Sequence, residues 1–342
     1  VNNLFVTSDR IGSQTGGGLV THHELQALKD LGFGPPDIIN PLPSADPFDA
    51  DREALAQYKA SGKKHKLAHF YSGTYPTLID ALKADGTKVS YTAAAHDIDL
   101  SREEHEKCGF KFDLPHLTDP VLLKRYLHGY LSANLVICPS KNSKKTMEKF
   151  GCKRVVVISH GCEKADPKPL PKEFTVGYLG QIGPDKGLKY LIQAWKVLQS
   201  KNAQLVIAGR NTEILLPWLR ELGGGAIRLM GFVKSTSDFY NSCSLYVQPS
   251  VTEGFGIEVL EAMSHGRPVI CSEGAGAMDC ITHNKNGMIV PIRDPNSIAR
   301  AVESYISDPN KLKEHSRDAA IASNYYTWDK VAGVYQTYWN NI

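Results

Sequence analysis

Eleven short apolar runs punctuate this chain, separated by longer stretches with helical periodicity. "NNLFVTS", "KLAHFY", "KVSYTAA", "NLVICPS" and "RVVVIS" fall in the first half, and "FTVGYLG", "AQLVIAG", "IRLMG", "SLYVQPS", "RPVICS" and "NGMIVP" in the second. Several are apolar at successive positions, as strands buried on both faces of a parallel sheet must be. Parallel strands need long crossovers, and amphipathic stretches such as "THHELQALKDLG" supply helices for them. Between the two series lies "EKADPKPLPKE", Glu163–Glu173, whose three prolines fix φ and remove amide donors. It reads as a linker, with its centre at 166–172. The alternation therefore predicts an α/β protein of two doubly wound, Rossmann-like parallel-sheet domains, 1–165 and 173–325, facing a cleft. Asp294-Pro295 and Asp308-Pro309 read as cap plus first-turn proline of two late helices. "YTWDKVAGVYQTYW", within 326–342, reads as a final amphipathic helix.

Composition narrows the function classes. A length of 342 residues fits two domains. A net charge of +3 gives no argument for nucleic acid as a partner. There is no apolar run of membrane-spanning length, and "VNNLFVTSD" lacks the basic and apolar regions of a signal peptide. The seven cysteines are scattered and contain no C-x-x-C pair, so reduced thiols in a cytoplasmic protein are expected.

The stretch "SLYVQPSVTEGFGIEVLEAMSHGRPVI" reads as strand, glycine loop, helix and strand. Gly254 and Gly256, on either side of Phe255, let the backbone approach a ligand closely. The helix opening at Gly256–Ile257 presents N–H groups and a positive dipole end suited to phosphate. Glu261, farther along that helix, is placed to accept hydrogen bonds from ribose hydroxyls. Glu253, ahead of it, is placed to face a sugar attached to the phosphate. The loop "GQIGPDKG" follows a predicted strand, and its Lys186 can neutralise a diphosphate. A helix end alone contributes only about 0.3–2 kcal/mol, modest against a charge of about −2. "GSQTGGGLVTHHE" follows the first strand. Its Gly17 and Gly18 allow close backbone approach, but the Walker lysine is missing.

These stretches resemble the Glu–seven residues–Glu signature and companion loops of the retaining GT-B glycosyltransferases of family four, glycosyltransferase group 1. "VGYLGQIGPDKGLKYLIQAW", "PSKNSKKTMEKFG", "VVVISHGCE", "NGMIVPIRDPNSIARAV" and "YTWDKVAGVYQTYW" match further family segments in order. The resemblance is close over the C-terminal half and looser over the N-terminal half. It implies transfer of a sugar, as by a hexosyltransferase of carbohydrate metabolism, from a nucleotide-diphosphate sugar to an acceptor hydroxyl with retention. The acceptor would be a saccharide, a lipid-linked compound or a small molecule. His96, Glu253 and Lys186 would be catalytic. Gly17, Gly18, Gln181, Arg210, Gly254, Phe255, Gly256, Ile257 and Glu261 would bind the donor. No cofactor or metal is implied, and the last helix would pack back on the first domain. The family usually carries an arginine where this chain has Gln181; the departure either weakens the diphosphate site or leaves another basic residue, such as Arg210, to substitute. In "SEGAGAMD" the family places a glycine-rich donor-phosphate loop, whose backbone amides would serve the phosphate.

Other readings compete. Asp97-Ile98-Asp99, beside His96, imitates the D-x-D metal motif of the GT-A fold and could hold Mn²⁺ or Mg²⁺. A GT-B sugar-nucleotide epimerase would need no acceptor. A sugar-nucleotide-binding protein with weakened chemistry would explain Gln181. Lys141, Lys144, Lys145 and Lys149 recur on one helix face, read first as a solvated face and second as a peripheral membrane contact.

Overall fold

The computed structural model describes residues 3–7, 20–23, 25, 36–41, 47–71, 73–112, 119–198, 202–210, 212–222 and 226–342. They form two six-stranded sheets. The first holds β1 (Asn3–Thr7), β2 (Asp37–Ile39), β3 (Leu67–Tyr71), β4 (Lys88–Thr92), β5 (Leu135–Cys138) and β6 (Val155–Val157), in the order β2-β1-β3-β4-β5-β6. The second holds β7 (Phe174–Leu179), β8 (Ala203–Ala208), β9 (Ile227–Gly231), β10 (Leu245–Gln248), β11 (Val269–Ser272) and β12 (Gly287–Val290), in the order β12-β11-β10-β7-β8-β9. Every pairing is parallel. All eleven expected strands are present. β2 was not foreseen, because three residues at a sheet edge leave no periodic pattern.

The second sheet shows why its strands read as continuous apolar runs. Val176, Tyr178, Leu205, Ile207, Leu245 and Val247 enter a core on one face. Leu179, Val206, Ala208 and Tyr246 enter a second core on the other. Helices cover both faces, so odd and even positions are equally dry. The first sheet has a core of its own, built on Leu4, Val6, Ala68, Phe70, Val89, Tyr91 and Val136.

The Asp-Pro helix starts behave as expected. Asp294 Oδ1 accepts from Ser297 N at 3.0 Å, and Asp308 Oδ1 from Lys311 N at 3.0 Å. Asp119-Pro120, not foreseen, repeats the device, with Asp119 Oδ1 accepting from Val121 N at 2.8 Å. All seven cysteines are free thiols. Among the described residues no helix is long and apolar enough to cross a membrane. On the helix Lys141–Lys149, Lys141, Lys145 and Lys149 are exposed, while half-buried Lys144 lies 3.7 Å from Glu148.

The chain divides into two compact units. One comprises Val1–Ala95, Asp113–Gly161 and Trp328–Ile342; the other comprises His96–Phe112 and Cys162–Thr327. Residues 96–112, assigned to the first domain on sequence, thus cluster with the second unit, and the proline segment clusters there too. The helix Trp328–Trp339 belongs to the first unit. There the Tyr335 and Trp339 rings pack against His69 at 5.8 and 5.0 Å.

Candidate functional site

Along the second sheet, strand order reverses between β7 and β10. In open α/β sheets, ligands bind beyond the carboxyl ends of the strands at such a reversal. Here the two loops at that point are 180–187, after β7, and 249–256, after β10. The first loop turns through a short 3-10 helix, Pro184–Lys186, and closes at Gly187 with φ of +68°. Its backbone then grips the second loop. The Asp185 carbonyl accepts from Val251 N at 2.8 Å and from Thr252 N at 3.4 Å. Only glycine fits at position 187, because a methyl group there would lie 2.0 Å from the Pro249 carbonyl oxygen.

A third loop holds the far side. Glu253 N donates to Gly274 O at 3.0 Å, Gly276 N to Glu253 O at 3.1 Å and Ala277 N to Phe255 O at 2.7 Å. Glu253 is therefore pinned by its backbone, and its carboxylate Oε2 accepts from Lys186 Nζ. Burial by itself would lower the Lys186 ammonium, but the Glu253 and Asp185 carboxylates outweigh it and hold the group above its ordinary range. The amides of Gly276 and Ala277 serve carbonyls of the Glu253 loop. These two amides of the "SEGAGAMD" loop are thus already partnered within the protein.

Gly256, at φ of +91°, turns the chain into the helix Ile257–Ser264. Gly254, Phe255 and Gly256 are buried, and Ile257 is half-buried in the first turn. Glu261 is half-buried and Oε2 accepts from the buried Tyr240 hydroxyl at 2.8 Å. Burial raises the Glu261 carboxyl and the Tyr240 bond partly offsets it. The phenol fixes the carboxylate, which has further acceptor capacity to offer.

Sequence reading missed a third carboxylate, Glu258. It lies three residues before Glu261 and so on the same helix face, a signal that spacing alone would have supplied. Its Oε1 would touch a methyl group placed at Gly180, at 3.4 Å, so it reaches toward the start of the Lys186 loop. Burial, then the Glu253 and Glu261 charges, push its carboxyl up to about 7, with Lys186 opposing.

His96 belongs to this same unit. Asp97 N donates to Thr252 Oγ1 at 2.9 Å, which fastens the His96 segment to the Glu253 loop. Burial lowers His96 below its ordinary range; Asp185, Glu253 and Asp97 pull it up and Lys186 pulls it down. Asp97 and Asp99, the pair of the D-x-D reading, both have protein partners. Asp97 Oδ1 caps the helix Ile98–Lys107 through Leu100 N at 3.0 Å, and exposed Asp99 lies 3.7 Å from Arg102. Among the described residues, no group of three or more His, Cys, Asp or Glu side chains could hold a metal ion.

Gln181 is exposed, and its carbonyl accepts from Tyr178 Oη at 2.7 Å. Arg210 follows the neighbouring strand end, since Gly180 N donates to Ala208 O at 3.1 Å. Its guanidinium lies 4.8 Å from the Phe232 ring centroid. Gly17 and Gly18 lie outside the described residues, as does most of the expected helix over 21–32.

Residues 173–308 match the family model described as glycosyl transferases group 1. The chain is 37% identical over 168 residues to an uncharacterized glycosyltransferase of Methanocaldococcus jannaschii, covering 47% of this chain and 43% of that one. It is 28% identical to the capsular polysaccharide biosynthesis glycosyltransferase CapM of Staphylococcus aureus, covering 67% of each. It thus spans under half of the archaeal relative. Among solved structures, sucrose-phosphate synthase from Thermosynechococcus elongatus superposes with a TM-score of 0.79 at 17% identity, covering 100% of this chain and 99% of that one. Anabaena HepE in complex with UDP superposes with a TM-score of 0.75 at 18% identity over 100% of both chains. The fold is therefore that of the GT-B enzymes.

Proposed function

From the match of residues 173–308 to the glycosyl transferases group 1 family, we propose a nucleotide-sugar-dependent glycosyltransferase acting with retention. One observation carries the reading. Lys186 and Glu253 meet at the strand-order reversal, and Glu261 stands about one turn along the adjoining helix. The roles follow from chemistry. Lys186 and the first turn of the helix Ile257–Ser264 would bind the diphosphate and stabilise the charge that grows as the nucleotide leaves. Glu261 would accept from ribose hydroxyls. Glu253, whose partner Lys186 would turn partly to phosphate, would accept from hydroxyls of a hexosyl group. His96 would donate to that sugar from the other side of the Glu253 loop. The HepE structures with UDP and UDP-glucose make a uridine donor the first to try. The acceptor would be a saccharide, a lipid-linked compound or a small molecule. No metal would be needed, so EDTA should leave donor binding unchanged.

Thermal shift against UDP-, GDP- and ADP-sugars tests this, with wild type and Glu261→Ala compared. A ligand at 100 times its Kd stabilises by about 2.7 kcal/mol, which is roughly 5–10 °C for a unit of this size. One nucleotide class should give that shift and Glu261→Ala should lose most of it. An equal shift in the variant removes the ribose role.

A second reading has its own support. Gln181 replaces a cation while Glu258 adds a carboxylate nearby, an arrangement that weakens diphosphate binding. A sugar-nucleotide-binding protein with lost chemistry would bind a donor yet never release free nucleotide from it.

A further inference from the structure

The helix Ile98–Lys107 comes from the middle of the first unit's sequence but belongs to the second unit. It is fastened at both ends. Ahead of it, Asp97 N donates to Thr252 Oγ1, one residue before Glu253. Toward its end, Glu104 is a carboxylate with 0% side-chain exposure. Its Oε2 accepts from Arg293 Nε at 2.7 Å, and its Oε1 from Tyr190 Oη at 2.9 Å. The same guanidinium donates from both terminal nitrogens to Glu103 Oε2 at 3.2 Å.

The anchors themselves are informative. Tyr190 lies in the helix Leu188–Leu198, which starts directly after the Lys186 turn and Gly187. Arg293 follows β12 and has φ of +58°, a conformation that L side chains rarely adopt. Such strain persists where the surroundings over-determine it. Here the surroundings are two carboxylates on one helix. A carboxylate with no exposed surface also needs its countercharge, so losing Arg293 alone would leave a costly unpaired charge.

We propose that Glu104 and Arg293 are positioning residues, which seat the helix Ile98–Lys107 so that His96 is held beside the Lys186–Glu253 pair. Neither touches the reacting groups. They act through the helix, whose N-cap is Asp97, directly after His96. The seat makes His96 part of the second unit's site regardless of the sheet that its chain leaves. As a contribution to turnover, the proposal rests on the glycosyltransferase reading; as a statement about where His96 is held, it does not.

The test uses the whole chain and a double variant, Glu104→Gln with Arg293→Gly. It removes both charges together, so no lone buried charge remains, and glycine suits the local φ. His96 is followed by NMR titration of histidine-labelled protein, with its resonance assigned through His96→Gln. In wild type it should titrate below the ordinary histidine range, because it is buried. In the double variant it should move back toward that range while the other histidines keep theirs. Arg293→Lys, which keeps a cation, should restore most of the wild-type value. An unchanged His96 titration in the double variant overturns the proposal, and so does an equal shift at every histidine, which marks general loosening.

A second readout is hydrolysis of UDP-, GDP- and ADP-sugars without acceptor. The double variant should turn over the bound donor at least about tenfold more slowly, with its Kd within about twofold of wild type. A raised Kd with unchanged turnover contradicts a positioning role. If none of the three binds wild type, the donor reading falls and the His96 titration still decides the seat.

Discussion

The Lys186 ammonium donates to the Glu253 carboxylate although 67 residues separate them. The pair is a consequence of backbone geometry. The Asp185 carbonyl, one residue before the lysine, holds the amides of Val251 and Thr252, and Glu253 follows directly. Two loops from neighbouring strand ends are thereby locked in register, and their side chains meet over the lock.

Gly187 is the residue that permits this lock. Gly187→Ala should destabilise the second unit by roughly 2–5 kcal/mol, from a left-handed φ plus a clash with the Pro249 carbonyl. Gly231→Ala is the control, because φ there is +65° and nothing lies within 4 Å of the added methyl. It should cost about 1–2 kcal/mol. Urea unfolding followed by tryptophan fluorescence compares them; equal losses would show that the loop contact contributes nothing.

Gln181→Arg should tighten binding of a nucleotide-diphosphate sugar by up to about tenfold, since a hydrogen bond to a charged group contributes about 1.5–3 kcal/mol before solvent screening. Arg210→Gln should weaken it, if Arg210 serves as the substitute cation at the next strand end. Calorimetric titration reads both. A gain for Gln181→Arg with no loss for Arg210→Gln would mean that the diphosphate charge is simply under-compensated here.

Glu258 predicts a pH dependence. Its folded carboxyl is raised from 4.5 to about 7, so between those values the native state keeps a proton that the unfolded chain has released. Stability from this group is therefore greatest below about 4.5 and falls as pH rises toward 7, by on the order of 3 kcal/mol in all. Glu258→Gln should raise stability at pH 8 and leave it little changed at pH 5. Melting temperatures of the two proteins at both pH values decide it, and a constant difference between them would contradict the raised carboxyl.

His69 acts in the opposite sense within the first unit. Burial pushes it down to about 3, and its ring nitrogens meet Ser90 Oγ at 2.7 Å and Thr92 Oγ1 at 3.2 Å. Below about 6.5 the unfolded chain takes up a proton that the native imidazole refuses, so stability is lost as pH falls. By pH 5 the loss is about 2 kcal/mol. His69→Gln should flatten the slope of stability against pH between about 5 and 6.5, as measured by urea midpoints; an undiminished slope would move the acid sensitivity to His160, which burial lowers to about 4.

Much of this protein is written locally. Strands buried on both faces must be apolar at successive positions, so several of the eleven foreseen strands, such as "LVIC" and "LVIA", appear in the sequence as unbroken runs. Asp-Pro pairs announce helix starts because the cap and the missing amide are properties of adjacent residues. The glycine-flanked Glu253 and helical Glu261 stand close enough in sequence to be read together. Glu258 is equally near, and its spacing from Glu261 is legible; its burial among other carboxylates is not.

What the tertiary structure decided is everything that depends on strand order. Sequence names β7 and β10 as strands but cannot make them neighbours, so it cannot bring Lys186 to Glu253. It cannot show that the Gly276 and Ala277 amides are already used by the Glu253 loop, or that Asp97 caps a helix. It also assigned residues 96–112 to the domain on either side of them. Chain continuity suggests that assignment, but a buried carboxylate goes where its guanidinium is. Glu104 finds Arg293, 189 residues away, and both belong to the second unit.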